Sequence, residues 1–206
     1  MYYDPENRAL ERNPFKALAG PRPIGWVTSM SRAGAVNLAP YSFFNAVGES
    51  PDLVAFSSNG MKDAAAFAEE GGEFVCSFAT YDLREAMNRT SAPLPRGESE
   101  FAYAGLTPAP SRRVRPPRVA ESPAAIECRW LRTVALEPLD SAPVNNYLVI
   151  GQVVSFYIDD RYVVNGRVDT AAMRPILRGG YFDYFQVGPE NRFEMRRPAG
   201  GGDIPA

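Results

Sequence analysis

The chain contains no histidine, and of its 22 basic residues only Lys16 and Lys62 are lysines. Without imidazole there is no Ser–His or Cys–His nucleophile pair, no His-ligated zinc, and no side chain that ordinarily titrates near neutrality. Cysteine is scarce as well. Cys76 and Cys128 lie far apart in apolar segments, so a buried, reduced pair is expected rather than a disulfide. There is no CxxC, no P-loop and no GxGxxG fingerprint. The longest apolar run, around Tyr147 to Ile158, is too short for a bilayer and is broken by Gly151 and Gln152. The N-terminus has no signal-peptide core, so a cytoplasmic protein without membrane contact is expected. An enzyme of this composition must take its chemistry from carboxylates, an activated lysine or a bound cofactor.

What is present suits one domain. The chain has 206 residues, 45% of them hydrophobic, which is enough for a single well-buried core. A net charge of −2 gives no general reason to bind nucleic acid. The cluster Arg112, Arg113, Arg115 and Arg118 is interspersed with proline and has no interleaved aromatics, so it reads as a solvated loop.

Short alternating runs dominate the pattern. Ile24 to Ser31 and Ala35 to Tyr41 flank the turn signal Ser31-Arg32-Ala33-Gly34 and predict a hairpin. Strands are predicted at Leu53 to Ser58, Glu73 to Thr80, Ala125 to Leu136 and Asn145 to Ile158. Short helices are predicted at Lys62 to Glu70, Asp82 to Arg89 and Thr170 to Leu177, the last two capped by Asp82 and Asp169. Asn165-Gly166 marks a turn. Residues 91–124, rich in Pro, Ser and Arg, read as a long surface excursion. Many short strands and few helices imply a mostly β fold, a closed or nearly closed barrel with helical decoration.

The stretch 21–58 is too polar for a hairpin that only fills a core. It carries Thr28, Ser29, Asn37, Ser42 and Asn45 beside Phe43 and Phe44. That mixture suits a flat heteroaromatic ligand with hydrogen-bonding edges.

This stretch closely resembles the flavin reductase family of FMN-binding split β-barrels. That family includes flavoredoxin-like proteins and the small reductase components of two-component monooxygenases. The resemblance continues through Ser57 to Asp63, Met87 to Pro93, Arg118 to Pro123, Leu148 to Gly151 with Ile158 to Asp160, and Leu177 to Gly180. It implies a mostly β, Greek-key split barrel with a few short helices, occupying residues 1–197 as one domain before a flexible tail at 198–206.

The resemblance also implies non-covalent FMN, NAD(P)H as a transient reductant, and a homodimer. Electrons would pass to an acceptor or a partner monooxygenase. No protein nucleophile is needed, because hydride transfer is a matter of positioning. The alternative from a different class is a non-enzymatic, flavoredoxin-like electron carrier reduced by a partner. A barrel that has lost its flavin is a third reading.

For the phosphate, the expected residues are Ser57, Ser58, Lys62 and Asp63 with adjoining backbone N–H groups at a helix start. Local pattern alone serves equally well for a solvated Lys62 and a first-turn Asp63; the resemblance favours phosphate. For the ring, the candidates are Trp26, Thr28, Ser29, Asn37, Ala39, Pro40, Ser42, Phe43 and Phe44. Any one of these aromatics taken singly reads better as core packing. Two departures from the family stand out: Ala64 where relatives often carry Thr, and Tyr157 where many carry His.

Overall fold

The computed structural model describes residues 2–3, 10–95, 98–140, 142 and 145–198. The tail expected at 198–206 lies outside these residues apart from Pro198.

In chain order the elements are α1 (Phe15–Leu18), β1 (Arg22–Pro23), β2 (Gly25–Met30), β3 (Val36–Tyr41), β4 (Phe44–Gly48) and β5 (Leu53–Asn59). Then come α2 (Asp63–Gly71), β6 (Glu73–Phe78), α3 (Arg84–Arg89), α4 (Glu100–Ala104), β7 (Pro108–Ala109) and β8 (Arg118–Val119). The long strands β9 (Ala124–Ala135) and β10 (Asn146–Ile158) follow, and the small pairs β11 (Val163–Val164) with β12 (Arg167–Val168) and β13 (Ile176–Arg178) with β14 (Tyr184–Gln186) complete the fold.

Seven strands form one antiparallel sheet in the order β3-β2-β6-β9-β10-β5-β4. Its edges, β3 and β4, are not hydrogen-bonded to each other, so the ladder is not a closed barrel. The sheet nevertheless curls. Tyr41 at the end of edge strand β3 meets Phe56 of β5 at 4.8 Å between ring centroids, and Phe56 meets Phe74 of β6 edge-on at 5.6 Å. These rings bridge from one side of the sheet to the other.

Alternation along β2 explains the two cores. Val27 packs with Phe56, Phe74 and Val149 under α2, whose Ala64, Ala65 and Ala68 are small enough to let the helix sit close. Trp26, one residue earlier, packs with Leu38, Met87 and Phe101 under α3 and α4. Gly151 in β10 leaves room for the Phe74 ring, which any Cβ at that position would strike.

The hairpin expected from the 24–41 pattern is present. Gly34 adopts a φ of 89°, and its N–H donates to the Ser31 carbonyl at 3.1 Å. Two expected helix boundaries differ. Asp82 does not cap α3, whose first turn begins at Arg84; it pairs with Arg174 at 3.3 Å instead. The helix expected at Thr170 to Leu177 is absent. Arg174 turns into the left-handed region with φ 54°, and Pro175 has no N–H to continue a helix. Ile176 then donates its N–H to Ala79 and enters β13.

Candidate functional site

Edge strand β3 forms one wall of a cleft of about 510 Å³. Asn37, Ala39, Pro40 and Tyr41 line it from the strand. Lys62, Asp63 and Ala64 enter from the start of α2, and the segment Thr90 to Leu94 with Glu100 closes the other side.

An open sheet edge exposes unpaired backbone groups, and β3 deals with them locally. The Leu38 N–H points away from β2 and donates to Glu100 Oε2 at 2.8 Å. Pro40, two residues on, has the same in-plane orientation and no N–H to leave unmet. Glu100 Oε1 accepts from Asn37 Nδ2 at 2.7 Å. Burial pushes the Glu100 carboxyl above the usual glutamate range, and these two donors only partly offset it.

The same geometry leaves polar atoms unmet. Asn37 Oδ1, Thr28 Oγ1 and Ser29 Oγ are buried without hydrogen-bond partners among the described residues. Such orphans are uncommon and call for an account. Asn37 is the one that borders the cleft.

At the start of α2, Lys62 is the cap residue, with extended backbone and no side-chain cap. The first N–H groups of a helix have no intrahelical partner and lie at the positive end of its dipole. Lys62 and Ala64, on either side of the first helical residue, line the cleft. Asp63 lines the same cleft. Tyr41 is held by burial above the ordinary phenol range, and its hydroxyl is hydrogen-bonded with Ser58.

The residues expected at a cofactor site are thus distributed over three places. Asn37, Ala39, Pro40, Lys62 and Asp63 line one cleft. Ser42, Phe43, Phe44 and Ser57 line a shallower one of about 530 Å³, beside Arg22. Trp26, Thr28, Ser29 and Ser58 are fully enclosed and line neither. The physical reason is strand alternation. Ser57 and Ser58 are neighbours on β5 and face opposite sides of the sheet. Ser58 Oγ donates to the Gly60 carbonyl at 2.7 Å, and Trp26 Nε1 donates to Thr90 Oγ1 at 2.9 Å.

Trp26 therefore acts on the cleft through Thr90, which lines it. Glu100 was not among the expected site residues, and Tyr41 lies inside the Ala39 to Phe44 stretch expected to border the ring. The one local signal near Glu100 was Ser99, which caps α4 and accepts from the Phe101 N–H at 3.4 Å.

The sequence profile of the flavin reductase like domain matches residues 19–171. The chain belongs to the flavin reductase like family. An uncharacterized protein of Halalkalibacterium halodurans is 36% identical over 206 residues, covering 96% of this chain and 97% of that protein. Nitrilotriacetate monooxygenase component B from Bacillus cereus superposes with a TM-score of 0.84 at 34% identity, over 95% of this flavin reductase-like chain and 98% of its own. Flavoredoxin of Desulfovibrio vulgaris (Miyazaki F) shares the fold alone, with a TM-score of 0.74 at 21% identity over 98% and 99% of the two chains.

Among the described residues no helix is long and apolar enough to cross a membrane, and no group of three or more Cys, Asp or Glu side chains is placed to hold a metal.

Proposed function

We propose that this flavin reductase-like protein is a cytoplasmic FMN-binding oxidoreductase of the split-barrel type, reduced by NAD(P)H. Its electrons go to an acceptor or a partner monooxygenase. The observation that carries the reading is the β3–α2 cleft, which combines an unmet amide oxygen on Asn37 with a helix start and Lys62. These donors and acceptors fit FMN. Asn37 Oδ1 is an acceptor for a ring N–H, and Lys62 with the first N–H groups of α2 is a seat for a phosphate.

Bound FMN would supply the hydride-accepting centre, and the protein would supply position and electrostatics. Glu100 takes up the Asn37 amide N–H, which leaves the buried amide oxygen as the unmet acceptor. Pro40 and Ala39 present a wall without competing side-chain donors. Ala64 lacks the hydroxyl that a threonine would add there, so the phosphate grip rests on Lys62 and backbone. Ser42, Phe43, Phe44 and Ser57 line the other cleft, which shares no lining residue with this one, so their part in cofactor binding comes from the family resemblance. Thr28, Ser29, Ser58 and Trp26 support the site from beneath.

The neighbouring protein that is one component of a monooxygenase supports a monooxygenase partner here. The homodimer is carried over from the family resemblance.

The test is anaerobic mixing of the flavin-loaded protein with NADH or NADPH, followed by visible absorbance. Bleaching of the oxidised flavin band is expected with at least one of them. A flavin that stays oxidised with both excludes direct reduction and leaves the flavoredoxin-like carrier. A protein that takes up no flavin at all overturns the cofactor assignment.

A further inference from the structure

A separate cavity, of about 570 Å³, opens between α3 and the β13–β14 hairpin. Met87 and Ile176, both buried, are its most enclosed apolar residues, and Tyr81, Tyr184, Phe182 and Phe185 add aromatic surface. This volume and lining are of the kind that hold small molecules with a flat apolar part.

The charges are unevenly compensated. Arg84 lies over the Tyr81 ring at 4.1 Å, donates to the Tyr81 carbonyl at 2.8 Å, and is 3.6 Å from Glu85. Arg174 also lies over Tyr81, at 4.8 Å, and pairs with Asp82. Arg178 differs. It lies over Tyr184 at 4.4 Å and donates to the Tyr181 carbonyl at 2.6 Å, and no carboxylate of the described residues is within ion-pair distance of it. Its cross-strand partner is Arg22, another cation. Among the lining residues Arg84, Glu85 and Arg178, one positive charge is left over.

We propose that this cavity binds a small aromatic monoanion, an aromatic carboxylate, with its ring on the aromatic lining and its carboxylate on Arg178. A planar guanidinium fixed beside a ring matches a carboxylate in plane with its own ring. A neutral ligand would leave Arg178 unpaired, and a phosphate dianion would exceed the single free charge. Asn88 and Gln186 add polar contact points on the lining. Ser91 lines both this cavity and the β3–α2 cleft, so the two adjoin. If the flavin reading above holds, the ligand lies next to the cofactor as an acceptor or effector.

Calorimetric titration of the full-length protein, flavin-free and flavin-loaded, with benzoate, benzyl alcohol and 5′-AMP tests this. Saturable benzoate binding, tighter than benzyl alcohol and 5′-AMP, is expected in both forms. Arg178→Met should weaken benzoate about tenfold, the loss of one charge-assisted hydrogen bond, while Arg178→Lys keeps most of the affinity. If R178M does not fold, by circular dichroism, Arg84→Met gives the second reading, with weaker benzoate binding again expected. Benzoate that binds no better than benzyl alcohol, an unchanged affinity in the Met variant, or tighter 5′-AMP overturns the proposal. Flavin uptake is scored separately by absorbance. Loss of benzoate binding with normal flavin uptake sinks only this inference, and benzoate binding without flavin uptake sinks only the cofactor reading.

Discussion

Asn37 Nδ2 donates to Glu100 Oε1 at 2.7 Å, while the other oxygen of Glu100 accepts from the Leu38 N–H at 2.8 Å. One carboxylate from α4 thus seals the open edge of β3 and orients the amide beside the cleft. Sixty-odd residues of chain separate the partners, so only folding brings them together.

The pH dependence of Glu100 follows from its burial. Its folded pKa lies above the ordinary value of 4.5, so the fold favours the neutral acid. That contribution is complete below about pH 4.5 and is lost as pH rises through the raised pKa. Glu100→Gln is neutral throughout. The difference in Tm between wild type and variant should therefore change over that window and flatten above it. The amide also turns one donor toward a donor, at a constant cost of about 1–3 kcal/mol. A Tm difference that is independent of pH would contradict the raised pKa.

Lys62 should act on the phosphate and not on the ring. Lys62→Ala is expected to weaken FMN about tenfold, and less so at high salt, because the ammonium is partly screened. Riboflavin, which has no phosphate, should bind the variant as it binds the wild type. Fluorescence titration of both flavins decides this; equal losses for the two would remove Lys62 from the phosphate.

Trp26 should prove structural. Trp26→Phe loses its hydrogen bond to Thr90 Oγ1 and part of a fully buried side chain. A cost of about 2–4 kcal/mol is expected in urea unfolding, as a lower midpoint with an unchanged slope. FMN affinity per folded molecule should change little. A large affinity loss at unchanged stability would place the indole on the ring.

Cys76 and Cys128 are both free and buried. The Cys128 thiol is pushed well above its ordinary range, first by its hydrogen bond with Cys76 and then by burial. Neither thiol should react with Ellman's reagent in the native protein at pH 8, and both should react in urea. Rapid reaction of one thiol in the folded state would refute this.

Much of the fold was legible in local pattern. The 24–41 hairpin, the Ala-rich α2 and the long β9 and β10 strands follow from alternation, a turn glycine and helix propensity, which are properties of neighbouring residues. The helix expected at 170–177 failed because a distant partner intervened: Ile176 bonds to Ala79, nearly half the chain away. The site was legible as a set of polar residues on strands, but not in its partition. Which of Ser57 and Ser58 faces a cleft depends on the sheet face that α2 covers, and no residue near them records it.

The sequence alone determined the exclusions, the mostly β character and the family, because absent imidazole, strand alternation and extended motif order are all readable along the chain. The tertiary structure decided three further things: that Glu100 guards the β3 edge, that Trp26 supports Thr90, and that Arg178 stands without a carboxylate among the described residues. Each is a relation between side chains brought together by strand pairing or helix packing, and its energy exists only once those distant segments share one desolvated surface.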